Sequence, residues 1–230
     1  MESSMRMAAL CTMVVLLGGA IAPSAHGAPE IVPGCGSLTN AYGPYDYRAP
    51  PSPSNLLLVE KHHFTPDIEF LRNKAGVAPA LDYTLRAFPN HHRALMSLIN
   101  LVVREKKEQI YGMTWPIECY LRRARAWRPD DTMVQVIYGL FYMKMNKPQQ
   151  AIEQLEEVKA VRGDDPNVYY NLGLAYIQVG NYDKALENAH RAYALHYPLP
   201  GLRNMLVKAG KWRDPDTVKS TAASGVEPKQ

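Results

Sequence analysis

Several classes of protein are excluded by what this sequence has little of. Its 230 residues carry 26 basic and 22 acidic side chains, so the formal net charge of +4 is small, and the basic residues are not clustered. Such a balance gives no support for nucleic-acid binding. With 15 glycines and 18 prolines the chain is not fibrous, and with 47% hydrophobic residues it is not disordered. The composition is that of a globular protein.

Long apolar runs are also absent, with one exception at the N-terminus. Arg6 is followed by the apolar stretch Met7–Ala22, and the small residues Ala25 and Gly27 stand where a signal peptidase requires them. We therefore predict a signal peptide over residues 1–27, cleaved to leave a periplasmic or secreted protein with no stable membrane insertion. The alternative is an uncleaved membrane anchor, for which the apolar stretch is short.

Cysteine is scarce, and only Cys35 and Cys119 follow the predicted cleavage site. In an oxidising compartment a pair of thiols tends to form a disulfide, so we predict a Cys35–Cys119 bridge. Two separate buried thiols are the alternative. A zinc site is disfavoured because neither cysteine has a second cysteine near it in the sequence.

The C-terminal half contains an internal repeat, over residues 132–165 and 166–199. Three pairs of identical residues are each separated by 34 positions: Gly139 and Gly173, Tyr142 and Tyr176, and Ala151 and Ala185. Apolar residues recur at helical spacing in each half of a unit, which predicts two helices per unit. The glycines and alanines allow the two helix backbones to approach closely, as an antiparallel pair requires.

The second unit resembles the tetratricopeptide repeat (TPR) family. The family signature is an aromatic residue, then Leu-Gly, then Tyr, followed by alanines in the second helix. The residues that match it are Tyr169, Leu172, Gly173, Tyr176, Ala185 and Ala192. The resemblance implies a solenoid of helical hairpins whose concave face, built from the first helix of each unit, binds extended peptides or helices.

We accordingly predict an all-α fold, a TPR helical-hairpin solenoid of about three repeats, the smallest stable number. Residues 66–131 form a degenerate, TPR-like helical region before the two regular units. A capping helix over residues 200–212 covers the end of the last unit, and residues 213–230 are predicted to be a disordered tail.

Within the degenerate region the sequence predicts four helices. The first is short, over Pro66–Lys74, with Thr65 as its N-cap. The second, over Leu81–Phe88, is followed by Pro89-Asn90 and is a lone second helix of a degenerate unit. The last two are a first helix over His92–Glu105 and a second helix over Pro116–Arg128. These two form one distorted repeat with a long connection between them.

Residues 28–65 are predicted to form an extended strap on the solenoid. Six prolines disfavour helix and central strand there, at positions 29, 33, 44, 50, 51 and 53. Three tyrosines and Cys35 argue against simple disorder, and the proposed disulfide would fix the strap in place. As a whole, the chain resembles a class of exported bacterial TPR proteins with the same Cys-Gly start and Tyr-Gly-Pro-Tyr-Asp-Tyr segment; this resemblance implies no particular activity.

The family's concave face, carried over position by position, predicts a groove that binds a partner segment. Its residues are Met133, Val136, Ile137, Leu140, Met143, Tyr170, Asn171, Leu174, Ile177 and Gln178. The face is mostly apolar, and only Asn171 fits the clamp for a C-terminal carboxylate that some family members have. A hydrophobic or helical segment of another exported or membrane-associated protein is favoured. Alternatively, the chain's own strap fills the groove.

Two histidine pairs carry the one alternative function, metal binding or metal handling in the periplasm. They are His62-His63 and His91-His92. Adjacent residues of a helix point about 100° apart, so one pair rarely holds one ion, and the two pairs would have to meet in space. No nucleophile elbow, phosphate-binding loop or metalloprotease motif is present, so we expect no catalytic residue and no cofactor. The preferred hypothesis is a non-enzymatic protein–protein interaction adaptor.

Overall fold

A computed structural model describes residues 30–72 and 75–215 of the chain. The predicted signal peptide and residues 216–230 of the predicted tail lie outside these ranges. The described residues form ten α-helices and no β-strand, with one isolated antiparallel bridge between Ile31 and Ser37. The all-α prediction is therefore confirmed.

The helices, in chain order, are α1 Pro53–His63, α2 Pro66–Glu69, α3 Val77–Ala87, α4 His92–Glu105, α5 Ile117–Trp127, α6 Thr132–Lys144, α7 Pro148–Val161, α8 Pro166–Gln178, α9 Tyr182–Ala194 and α10 Gly201–Lys208. None of them is both long and apolar enough to cross a membrane.

The first helices of the two regular units, α6 and α8, begin and end at equivalent residues. Asp131 and Asp165 are the N-caps of α6 and α8, and each side chain accepts a hydrogen bond from a backbone N–H in the first turn. After these helices, Asn146 and Gly180 adopt positive φ angles of 58° and 73°. Glycine adopts this conformation without strain and asparagine tolerates it, so the chain can reverse direction there.

Consecutive helices form antiparallel pairs, α4 with α5, α6 with α7 and α8 with α9, and each pair packs on the next. Within this arrangement α4, α6 and α8 lie side by side, and α10 packs on α8 and α9. The close approach within the second pair depends on Gly139, where an added Cβ would lie 2.8 Å from Leu155 Cγ. The helical solenoid predicted from the repeat is thus present.

The two largest parts of the core in the described residues meet at α6. The first part joins α2 to α6 and includes Leu95, Ile99 and Phe141. The second part joins α6 to α10 and is closed by Leu202 and Leu206 of α10. Because these two leucines are fully buried, α10 covers the end of the last repeat, over a shorter range than the predicted residues 200–212.

Two sequence predictions about the N-terminal third are corrected by the structure. The strap was expected to remain extended to residue 65, but Pro53–His63 is helix α1. Its only proline is the first residue, where the missing N–H has no partner to lose, and Ser52 caps the helix. The helix predicted over Pro66–Lys74 ends at Glu69, because Leu71 has a φ of 57°. Thr65 is its N-cap residue but forms no side-chain capping bond.

The remaining strap, residues 30–52, lies against α3 and α5. The structure contains the predicted disulfide between Cys35 and Cys119 of α5, which are separated by 84 positions. Arg123, with 1% of its surface exposed, donates hydrogen bonds from Nη1 to the carbonyl oxygens of Cys35 and Ser37 at 3.0 and 2.6 Å. Its guanidinium also stacks on the Trp115 ring at 4.1 Å. The start of the strap is thus held by a covalent bond and by a buried cation.

The middle of the strap is held by backbone contacts and a buried polar cluster. The Tyr45 N–H donates to the Ala87 carbonyl at 2.9 Å, and Trp127 Nε1 donates to the Tyr45 carbonyl at 3.2 Å. The Asn90 side chain donates to Asp46 Oδ1 at 2.7 Å. Burial alone would raise the pKa of the Asp46 carboxyl, but its hydrogen bonds to arginines and Asn90 outweigh burial and hold the pKa well below its usual value.

The tightest backbone approach in this region occurs at Gly43. Its φ is +95°, and an added Cβ would clash with the carbonyl oxygen of Ala87. We expect Gly43→Ala to destabilise the protein by more than the roughly 1–2 kcal/mol that a positive φ alone costs an L-residue. The measurement is the free energy of unfolding from urea denaturation.

Gly34→Ala is the matched control for this prediction. Gly34 also has a positive φ, +72°, but no atom lies within 4 Å of its added Cβ. Gly34→Ala should therefore lower the free energy of unfolding only by the cost of a positive φ, roughly 1–2 kcal/mol. Equal losses in the two variants would contradict the close strap–α3 contact.

Candidate functional site

The candidate site is the concave side of the solenoid, where the first helices of the repeats lie side by side. A first hollow of about 380 Å³ lies between α4 and α6. Met133, Ile137 and Leu140 of α6 form one wall, and Met96 of α4 and Phe70 at the end of α2 complete its apolar lining. Phe70 is 61% exposed, so this hollow presents a large apolar surface to solvent.

A second hollow of about 220 Å³ continues from the first, on the other side of α6. Leu140 lines both hollows, so the two are adjacent. The second is also lined by Met143, Leu174 of α8 and Met205 of α10. Met205 is 44% exposed. Together the two hollows form a continuous groove across α4, α6, α8 and α10, which we call the groove below.

Six of the ten residues predicted for the groove line one of the hollows. They are Met133, Ile137, Leu140, Met143, Leu174 and Gln178. The binding role of these residues stays a prediction.

The other four predicted residues line neither hollow. Val136 and Tyr170 are buried in the second core, and Ile177 packs against it. Tyr170 stacks on Tyr197 with ring centroids 4.1 Å apart. Asn171 is buried and donates from Nδ2 to the Asn167 carbonyl at 2.8 Å, so its amide group is engaged within its own helix.

Sequence reasoning missed the part of the groove that α4, Phe70 and Met205 provide. The face had been carried over only from the two regular units. His91 and Asp131 are the N-caps of α4 and α6. If the two helices are aligned at these N-caps, Ser97 of α4 corresponds to Ile137 of α6, and Asn100 corresponds to Leu140. The distorted connection between α4 and α5 hid this equivalence.

The groove has few charged groups, and most of them are paired. Arg93 Nε donates to Glu69 Oε1 at 2.8 Å, and His92 Nε2 lies 2.9 Å from Asp131 Oδ2. Lys144 is exposed, and no carboxylate pairs with it in the described part of the chain. Among the described residues, the groove is therefore an apolar surface with one unpaired positive charge, at the C-terminal end of α6.

The strap does not occupy the groove. Residues 30–52 contact α3 and α5, the second helices of their units, through Ala87, Arg123 and Trp127. None of these strap residues lines either hollow. The alternative in which the strap fills the groove is therefore wrong for its described residues.

The histidine pairs do not form a shared site. His62 is exposed, and His63 stacks on Tyr83 with centroids 3.9 Å apart. His92 faces Asp131, and His91 is buried against Tyr47. In the described ranges no group of three or more His, Cys, Asp or Glu side chains is placed to hold a metal ion. The metal-handling alternative has no support.

His91 instead caps helix α4. Its Nδ1 accepts a hydrogen bond from the Ala94 N–H at 3.2 Å, and its Nε2 lies 3.3 Å from Glu60 Oε1, without the alignment of a good hydrogen bond. Burial lowers the pKa of His91, and the Glu60 carboxylate offsets this only in part, while Arg93 and His92 lower the pKa further. Protonation of His91 would place a proton on Nδ1, which could then no longer accept the capping hydrogen bond from the Ala94 N–H.

This histidine makes stability pH-dependent. Because its pKa is lower in the folded chain than the unfolded value of about 6.5, the unfolded chain takes up the proton first as pH falls. The free energy of unfolding should therefore decrease below about pH 6.5, by at most about 1.4 kcal/mol per pH unit for this group. Urea denaturation at a series of pH values tests this expectation.

His91→Asn keeps a capping acceptor but cannot take up the proton. We expect its stability to depend less on pH than that of the wild type over this range. A residual slope should remain, since burial also lowers the pKa of His63. His62→Asn, at an exposed site, is the control. An unchanged pH slope in His91→Asn would show that His91 is not the responsible group.

Comparison with protein families identifies the repeat. Residues 166–197, which contain the whole of α8 and α9, match the family model of the tetratricopeptide repeat. Neither the curated proteins nor the solved structures provide a match. Repeats of this kind indicate a protein–protein interaction adaptor in general, and proteins of the family are in general non-catalytic scaffolds. The match shows a tetratricopeptide repeat over residues 166–197, and the helix pairs that precede it are consistent with a solenoid of this kind.

Proposed function

We propose that this protein is an exported, non-catalytic adaptor that binds a segment of another exported or membrane-associated protein in the groove. The observation that carries the proposal is the continuous apolar surface across α4, α6, α8 and α10. Phe70 and Met205 stand at its two ends, and Leu140 joins its two hollows. Large apolar side chains left together on a surface are characteristic of interaction sites.

The position of the strap supports the proposal. A solenoid with a long N-terminal extension could cover its own concave face. Here the disulfide and Arg123 hold residues 30–52 on α5 instead. The described part of the strap therefore leaves the groove open to a partner.

Export is supported by two independent features. The first 27 residues have the pattern of a cleaved signal peptide. In addition, Cys35 and Cys119 lie with their Cα atoms 5.2 Å apart, at the separation of an ordinary disulfide. Disulfides persist mainly in oxidising compartments such as the periplasm.

Charges placed in the groove should abolish partner capture. We expect Leu140→Glu combined with Leu174→Lys to reduce crosslinking to the partner by at least about tenfold, since both leucines line the second hollow. The measurement is in-cell photocrosslinking from position 133 or 178, with mass spectrometry to identify the crosslinked protein. Circular dichroism should show unchanged helicity.

The matched control carries the same two charges outside the groove, as Val161→Glu combined with Leu199→Lys. Val161 on α7 is 80% exposed and Leu199 is 55% exposed. This variant should retain capture. If the groove variant and the control capture the partner equally well, the groove is not the binding site. Crosslinks only within the chain would mean that the groove is filled by the protein itself.

Export can be tested on the protein recovered from cell fractions. We expect a periplasmic species whose first residue is Ala28 and whose non-reducing peptide map contains a Cys35–Cys119 linked peptide. Ala25→Arg removes a small residue that the peptidase requires and should block cleavage. A wild-type protein that begins at Met1 in the cytoplasmic fraction, with free thiols, would contradict export.

A further inference from the structure

We infer that the occupant of the groove is an amphipathic α-helix of the partner protein, with an apolar face for the two hollows and a carboxylate that reaches Lys144. This inference rests on the proposed function and specifies the chemistry of the partner. It follows from the groove's hydrogen-bonding groups, its dimensions, its methionines and the charge of Lys144, which has no ion-pair partner among the described residues.

The hydrogen-bonding groups favour a helix over an extended peptide. Both hollows are lined almost entirely by side chains of helices, whose backbone N–H and C=O groups are already paired within each helix. Asn100 and Gln178 are the exposed amide side chains among these lining residues. An extended segment would bury unpaired backbone groups against apolar surface, at a cost of about 1–3 kcal/mol each. A helix satisfies its own backbone and can present apolar side chains only.

The spacing of the hollows also suits a helix. The hollows lie on opposite sides of α6, so their centres are separated by roughly one interhelical distance, about 8–10 Å, with some offset along α6. Residues i and i+7 of a helix lie on one face about 10.5 Å apart. One apolar side chain can therefore enter each hollow, with residues i+3 and i+4 packing over Leu140 between them.

Methionine is concentrated in the groove. Six of the chain's ten methionines lie in its described part. Four of these six line the hollows: Met96, Met133, Met143 and Met205. Methionine side chains are unbranched and polarisable, and surfaces rich in them adapt to apolar faces of different shape. A groove of this composition recognises the apolar face of a helix rather than one exact sequence.

Lys144 adds a charge requirement. It lines the second hollow, and no ion pair to it is present among the described residues. The charged groups of the first hollow, by contrast, are paired with each other or with Asp131. An acidic side chain on the partner helix, beside its apolar face, would complement the free ammonium group.

The inference is tested with synthetic peptides and the full mature protein. The first probe is a labelled peptide of about 18 residues, long enough for five helical turns, with leucines at i, i+3, i+4 and i+7 and one glutamate beside them. The second probe has the same amino-acid composition, but its leucines occupy every second position, so that they share one face only when the peptide is extended. Fluorescence anisotropy should show saturable binding of the first probe and at least about tenfold weaker binding of the second.

Lys144→Gln should weaken binding of the first probe by about 2–5-fold, the range of an exposed ion pair. Replacing the probe's glutamate by glutamine should weaken it similarly, and the two changes together should have no greater effect than one. Lys61→Gln is the control, since Lys61 is exposed on α1 and lines neither hollow.

Each outcome decides one of the two proposals. Equal affinity for both probes, or no binding of the helical probe, overturns the helix inference. Additive effects of the two charge changes overturn the role of Lys144. In either case, crosslinks from the groove to another protein would leave the proposed adaptor function intact. If the groove of the wild-type protein gives no crosslink to another protein in cells, and the helical probe also fails to bind, both proposals are overturned.

Discussion

Helix α6 is the element on which the rest of the structure depends, because its apolar residues belong to two cores at once. Ile137 and Phe141 pack in the first core, while Val136 and Met143 pack in the second. A helix that is apolar nearly all round is stable only when other elements enclose it. The pairs on both sides of α6 provide this enclosure, and the strip that they leave open, around Leu140, becomes the centre of the groove.

The strap determines which surface of the solenoid stays open. Its contacts with α5 combine a disulfide with a buried guanidinium that binds two strap carbonyl oxygens. Two strap carbonyl oxygens accept hydrogen bonds from Nη1 of the buried Arg123, so this side chain stabilises this one placement of the strap, although its Nε has no partner among the described residues. Because the strap lies on the second helices of the units, the face built from the first helices keeps its exposed apolar residues. The same chain segment that could have blocked the groove therefore leaves it free.

The candidate site could be predicted from the sequence only where the repeat is regular. The resemblance to the TPR family, carried over position by position, assigned the face of α6 and α8, and Leu140 and Leu174 indeed line the groove. The same reasoning included Val136 and Tyr170, which are buried. A position in a repeat specifies a side of the helix, but neighbouring elements decide how much of that side is covered. Phe70 and Met205 come from outside the regular units, so no periodicity could assign them to the site.

The sequence by itself determined the helical repeat, with two helices in each regular unit, and the pairing of Cys35 with Cys119. These features depend on local signals: apolar periodicity, capping residues and the few thiols available. Only the tertiary structure decided where the strap lies, that Pro53 begins a helix, and that α2, α4 and α10 complete the groove. These outcomes depend on contacts between residues distant in the chain, such as Arg123 with Cys35, because burial and hydrogen-bond satisfaction are properties of the packed molecule rather than of any short segment.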